Sequence, residues 1–182
     1  MPIVTLDDAK AQLNITASDT SEDVELQGYI DAATAAVETQ LGQAVDQRTV
    51  VDQFTFPTGV TSFLLRTTPV LSMLSLATLD GSQSWTPTAP TMYVDSASGL
   101  VTVLSGPPVK GTVVATYQAG YTAVPANVRL AALIIVQHLW ETQRGTMGVQ
   151  LGGDTDTYVA GRGFAIPRRA IELLGPQLPG VA

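Results

Sequence analysis

The sequence predicts an α+β protein: a mainly helical core, built from two long helices plus short N- and C-terminal helices, carrying an antiparallel β insertion. Three observations carry this. Apolar residues recur at helical spacing in two stretches, Leu26 to Leu41 and Val128 to Leu139. Between them, residues 48–121 are rich in valine, threonine and aromatics, with turn residues separating short runs, which marks strands. No helix-length pattern interrupts that block, so an antiparallel sheet is expected in place of βαβ units. The 182 residues fit one domain and suffice for a real core. That domain is expected over residues 1–144, helical at 1–47 and 122–144 with the insertion at 48–121.

Thr5 and Asp8 have the spacing of a helix-capping motif, with Asp in place of the usual Glu, and open a short helix to about Asn14. Thr20 and Asp23 repeat that spacing ahead of a long helix ending near Leu41. Its apolar positions Leu26, Ile30, Ala33, Val37 and Leu41 form one stripe, and Gly42 is its expected stop. Glu22, Asp23 and Glu25 lie in its first turn, where the helix dipole favours negative charge. Strands are expected over 49–56, 62–66, 70–79, 91–94, 100–104 and 113–117, punctuated by Asp80-Gly81, Ser98-Gly99 and Gly106-Pro107-Pro108. Pro125 opens the second long helix, with Val128, Ala132, Ile135 and Leu139 as its buried stripe and Gly145 as its end. Residues 145–165 contain six glycines and few apolar groups, so no stable element is expected there. Pro167 starts a last short helix, Arg168 to Leu174, which Gly175-Pro176 closes.

An apolar fraction of 45% with 14% charged residues is that of a folded chain, and low in charge for a free monomer. Burial of surface in an assembly would account for the difference. The net charge of −7 argues against general nucleic-acid binding. Charge is also uneven: ten acids between Asp7 and Asp52 face only Lys10 and Arg48, whereas five arginines from Arg129 onward face four acids. Cysteine is absent, which removes disulfides, thiolate zinc sites and a cysteine nucleophile. The opening MPIVTLDDAK lacks the regions of a signal peptide, and the apolar run Leu130 to Val136 is too short to cross a bilayer. A cytoplasmic place of synthesis and no membrane partner are therefore expected.

Catalytic constellations are sparse. His138 is the one histidine, so any Ser-His-Asp triad would be built around it; a partly buried or interface histidine is the simpler reading. One histidine and no cysteine leave only carboxylates for a metal. Asp154 and Asp156 begin like a calcium loop but lack its later glycine and glutamate. No phosphate-binding loop is present, both lysines (Lys10 and Lys110) stand away from glycine-rich helix starts, and Gly161-Arg162-Gly163 lacks a strand-turn-helix context. Paired acids such as Asp7-Asp8 read as helix-start charges, and Trp85 and Trp140 as core or interface. No enzyme activity, metal or cofactor is expected. What remains is the C-terminal stretch 145–182, read as a flexible segment plus a short helix that orders on a partner. Its anchors Tyr158, Phe164, Ile166 and Leu173 and its charges Arg162, Arg168 and Arg169 are the candidate binding residues.

Several segments in order carry a resemblance: TLDDAKAQLNI, SEDVELQGYIDAATAAVETQLG, TPVLSMLSLATLDG, YVDSASGLVTV, VVATYQAGYTAVPANVRLAALIIVQHLWETQRG and IPRRAIELLGP. Most telling is Tyr117 to Tyr121 leading into Val124-Pro125 and the helix with Arg129 and Ala132. Together they resemble the head-tail connector (adaptor) proteins of tailed bacteriophages. The resemblance implies a homo-oligomeric ring, twelvefold in the virion, beneath the portal protein at the head-tail junction. It implies a portal contact through Arg162 to Leu174, a neck or tail protein below, and DNA as non-specific cargo in the channel. Assembly would take place in the host cytoplasm. Two other readings stay open: another phage neck or tail-completion protein, and an enzyme or ligand-binding module with His138 in its site.

Overall fold

A computed structural model describes residues 2–144 and 166–175. In chain order they form α1 (Leu6–Leu13), α2 (Asp23–Leu41), β1 (Arg48–Val60), β2 (Ser62–Leu64), β3 (Val70–Thr78), β4 (Ser84–Trp85), β5 (Met92–Val94), β6 (Leu100–Val103), β7 (Val109–Ala119), α3 (Ala126–Arg144) and α4 (Arg168–Leu174). The chain divides into two compact units. One spans Gln43–Val124; the other joins Ile3–Gly42 to the chain from Pro125 onward.

In the helical unit, α1 starts with a reciprocal capping box. The Thr5 hydroxyl accepts from the Asp8 N–H at 3.2 Å, and Asp8 Oδ2 accepts from the Thr5 N–H at 3.1 Å. Two backbone donors that would otherwise lack partners are satisfied. One turn later Lys10 is buried, only 3% exposed. Its ammonium donates to the carbonyls of Ala17 (3.3 Å) and Asp19 (2.7 Å) and pairs with Asp23 Oδ1 at 2.5 Å. Two hydrogen bonds and an ion pair thus surround the ammonium, the condition under which a buried cation is tolerated.

That ion pair corrects the expected second cap. Asp23 faces Lys10, and the N-cap of α2 is Glu22, which makes no side-chain capping bond. Four of the five expected stripe positions of α2, Leu26, Ile30, Ala33 and Val37, are buried; Leu41, in the last turn, is half-buried, and Gly42 closes the helix at φ +66°. Each large side chain in that stripe contributes about 1.5–3 kcal/mol by leaving water. On α3, Val128, Ala131, Ala132, Ile135 and Val136 are buried, and the helix packs against α1, α2 and α4. Tyr29 of α2 meets Trp140 of α3 edge to face at 6.3 Å.

The β unit holds two antiparallel sheets. Sheet A has the order β1-β7-β3-β4 and sheet B the order β2-β6-β5. Strand β7 is central in sheet A, and its side chains alternate. Val113, Ala115, Tyr117 and Ala119 are buried, while Thr112, Val114, Thr116 and Gln118 are half-exposed. The buried row joins Val70, Met73, Leu76 and Trp85 of sheet A to Phe63, Met92, Val101 and Val103 of sheet B in one apolar cluster. Within it the Tyr117 hydroxyl donates to Asp52 Oδ2 at 2.7 Å and accepts the Thr67 N–H at 3.0 Å. Burial, reinforced by the Asp52 carboxylate, pushes the Tyr117 phenol up, so the hydroxyl keeps the proton it donates.

The expectation of a mainly helical core is therefore wrong. Seven strands in two antiparallel sheets, with four helices, make a sheet-rich fold among the described residues. The reason lies in side-chain volume. Seven of the twelve largest fully buried side chains (Tyr117, Leu76 and five valines) lie in the β unit, whereas the helices bury many alanines. A strand block that assembles its own apolar cluster is a core in its own right.

Gly120 marks the tightest point of the β unit. Its φ is +113°, and a Cβ there would lie 2.5 Å from the Asp46 carbonyl oxygen and 2.8 Å from Gln47 Cα. Both are backbone atoms, which cannot swing aside. Gly120→Ala should lower unfolding stability by about 3 kcal/mol in urea titration, the upper end of such strain. Gly81→Ala, also at positive φ but with open space around it, should cost about 1 kcal/mol. Equal losses at the two sites would show that the close approach contributes nothing.

Candidate docking surface

α4 is short, and two residues four apart hold it down: Ala170 is fully buried and Leu174 is 7% exposed. The Asn127 side chain on α3 donates to the Leu173 carbonyl at 2.9 Å, so the helix is also tied at its C-terminal end. The opposite side presents Arg168, Arg169, Ile171 and Glu172 to solvent. Arg168 pairs with Glu172 at 3.2 Å, one turn away. Both groups are well exposed, so this pair adds little stability and leaves the guanidinium open to exchange for another carboxylate.

Of the candidate binding residues, the structure brings Ile166, Arg168, Arg169 and Leu173 together on and just before α4. Ile166 and Leu173 are half-buried; Arg168 and Arg169 are exposed. Tyr158, Arg162 and Phe164 lie outside the described residues, as do Asp154 and Asp156. His138 is half-buried on α3, and its carbonyl accepts the Thr142 hydroxyl at 2.6 Å. Trp85 is buried with its indole N–H on the Pro107 carbonyl at 2.9 Å. Among the described residues no group of three or more His, Cys, Asp or Glu side chains is placed to hold a metal ion.

A broad groove of about 820 Å³ runs between the β3–β4 turn and the start of β7, lined by Leu79, Asp80, Gln83, Pro108 and Lys110. Asp80 is its acid. Hydrogen bonds from the Thr78 hydroxyl and from the Ser82 N–H and hydroxyl hold its carboxyl down to about 2. The Ser82 bonds engage the carboxylate within its own turn, which fits a role in fixing that turn.

Sequence reasoning missed the buried Lys10 altogether and placed Arg129 only by resemblance. Arg129 forms an ion pair with Asp8, the capping residue of α1. The Thr5 hydroxyl first, and Arg129 after it, hold the Asp8 carboxyl below its ordinary value of 3.8. A capping spacing followed much later by an arginine carries no local signal that the two meet.

The family model for head completion protein matches residues 2–176. The chain belongs to the head completion protein family. The head completion protein of Escherichia phage T5 is 27% identical over 160 residues, covering 87% of this chain and 88% of that protein. The fold is shared with a chain from the neck of an empty gene transfer agent particle, computed with C6 symmetry. That likeness has a TM-score of 0.64 at 20% identity and covers 98% of this chain and 92% of the other. A chain from the neck of the native particle, computed with C12 symmetry, has a TM-score of 0.59 at 20% identity, covering 99% and 93%.

For this member of the family, the Asp8 arrangement has a pH signature. A carboxyl whose folded pKa is depressed contributes stability above its unfolded value and loses it as pH falls through the folded one. Asp8→Asn should therefore melt below the native chain at pH 7, and the gap should close as pH drops below the ordinary 3.8. A gap that persists unchanged at pH 2 would mean that the charge of Asp8 is not its source.

Proposed function

We propose that this chain is a structural subunit of the head-tail junction of a tailed phage. In this reading its copies form a ring beneath the portal, twelvefold in the virion, which continues the DNA channel and joins the head to a neck or tail protein. The observation that carries it is the family match across residues 2–176, together with a fold shared over nearly the whole chain with neck proteins of gene transfer agent particles. Those neck proteins were computed under cyclic symmetry, which suits a ring. The relative in phage T5 is named for completing the head. The role is one of binding and passage, without catalysis. A net charge of −7 suits a channel wall that DNA must slide past, because an acidic surface does not grip phosphate.

The portal contact falls, in this reading, on residues 145–182, with Tyr158, Arg162, Phe164, Ile166, Arg168, Arg169 and Leu173 as the contact set. Supporting it, α4 is held by Ala170 and Leu174 on one side and turns Arg168, Arg169 and Ile171 outward on the other. Arginines so placed suit bidentate pairing with carboxylates of a partner.

Electron microscopy and light scattering of the purified chain, with and without the portal protein of the same phage, test this. Rings with an open centre, or a monomer that assembles once portal is added, are expected. The double variant Arg168→Glu/Arg169→Glu should bind portal at least about tenfold more weakly with an unchanged circular dichroism spectrum. A chain that stays monomeric and ignores portal at high concentration would overturn the proposal.

A further inference from the structure

Sheet B buries one face and leaves the other bare. Along its central strand, Val101 and Val103 point into the apolar cluster, while Leu100 and, just past the strand, Leu104 are 37% and 60% exposed. The register sets Leu64 directly opposite Leu100, and Tyr93 opposite Thr102. Leu64 is 39% and Tyr93 56% exposed. Four large apolar side chains therefore share the outer face of a three-stranded sheet around Thr102. An antiparallel sheet with one solvated face ordinarily turns polar residues outward. Here Leu64, Tyr93, Leu100 and Leu104 stand outward beside the uncharged Ser62 and Thr102, and β2, β5 and β6 contain no charged residue at all. The nearest charges are engaged at the margin. Asp95 accepts from the Ser98 N–H at 3.1 Å in its own turn, and Arg66 lies over the Phe54 ring and donates to the Gln53 carbonyl.

A clustered apolar face of this kind marks a contact surface. Charge selects what covers it. Each copy carries −7, so two copies repel one another at long range, and a contact surface free of carboxylates adds no close like-charge pair to that repulsion. A basic partner would be drawn instead to exposed carboxylates elsewhere, such as Asp7 and Asp31. We infer that the outer face of sheet B is one of the two surfaces through which copies of this chain contact each other in the ring. The inference rests on the ring reading above. A cyclic assembly joins two different surfaces head to tail around the circle, so each copy must offer one such face to its neighbour.

The test places a carboxylate on this face, in Leu100→Asp and separately in Leu104→Asp, which lies beyond the strand and leaves its pairing intact. Val24→Asp, at a position 91% exposed on α2, controls for added charge elsewhere. Self-association is followed by sedimentation velocity and ring formation by electron microscopy, with portal added where the chain alone is monomeric. Both sheet variants should weaken assembly by about tenfold or more, with an unchanged melting temperature for Leu104→Asp, and Val24→Asp should assemble like the native chain. Native-like rings from both sheet variants would overturn this inference and leave the ring reading standing. Loss of portal binding with intact self-association would also overturn it, assigning the face to the portal. A native chain that forms no assembly under any of these conditions removes the ring reading and this inference together.

Discussion

The β unit is closed where two stretches of backbone pass with no side chain between them. Gly120 lies against Asp46 and Gln47 so tightly that a single added carbon would meet the Asp46 carbonyl at 2.5 Å. On either side of this point the incoming and outgoing chains are bonded together. The Tyr121 N–H donates to the Val45 carbonyl at 3.2 Å, its hydroxyl donates to Gln43 Oε1 at 2.8 Å, and Arg48 is paired with Ala119. Seven strands can therefore be threaded between α2 and α3 with both ends of the excursion held side by side. That proximity is what an insertion needs if the elements flanking it are still to pack as neighbours, as α2 and α3 do. The most telling resemblance motif, Tyr117 to Tyr121, thus combines a buried hydrogen-bonding tyrosine, a glycine at a backbone crossing and a tyrosine that ties the two ends.

Lys10 plays the corresponding part in the helical unit. It stands in the last turn of α1, gathers two carbonyls of the following loop, and reaches Asp23 at the start of α2. Burial of this lysine is tolerated because two carbonyls and a carboxylate surround its charge; removing either charge of such a pair is far more costly than never having had it. The loop between α1 and α2 contains no apolar residue buried in the core, so the cation does there what a hydrophobic anchor does elsewhere.

What could be read from the sequence follows from the range of the forces involved. Capping at Thr5 and Asp8, the α2 stripe from Leu26 to Val37, the Gly42 stop and the bounds of α4 depend on residues within a turn or two of each other, and all are found in place. Misreadings arise where a distant partner intervenes. Thr20 and Asp23 have capping spacing, yet Lys10 claims the carboxylate. β1 runs on to Val60 across a register shift after Phe56, past a proline and glycine that locally signal a turn, because β7 lies alongside to pair with it. β4 is two residues long and too short for any periodic signal. The largest error was one of weight. A block of valines read as an insertion on a helical core in fact builds a core of its own, and alternation along single strands does not reveal that their inner faces converge. Of the candidate docking residues, Arg168, Arg169 and Leu173 could be named from composition, whereas the buried contacts of Ala170 and Leu174 that hold α4 down carried no such signal. The bare face of sheet B was not legible either, because Leu64, Leu100 and Tyr93 become neighbours only through strand register.

The same long-range pairings shape how the surface can be used. Of nine basic residues, Lys10 and Arg129 are joined to Asp23 and Asp8, and Arg66 lies on Phe54. Cations committed inside the subunit cannot neutralise a neighbour, so copies of this chain meet as bodies of like charge. Long-range electrostatics then opposes assembly, and short-range burial of apolar surface must exceed it. Salt weakens the first force and leaves the second intact. An assembly held through the uncharged strands of sheet B should therefore tighten as ionic strength rises, whereas one held through the arginines of α4 should loosen. The sign of the salt dependence separates contacts between copies from contacts with a partner bound through α4.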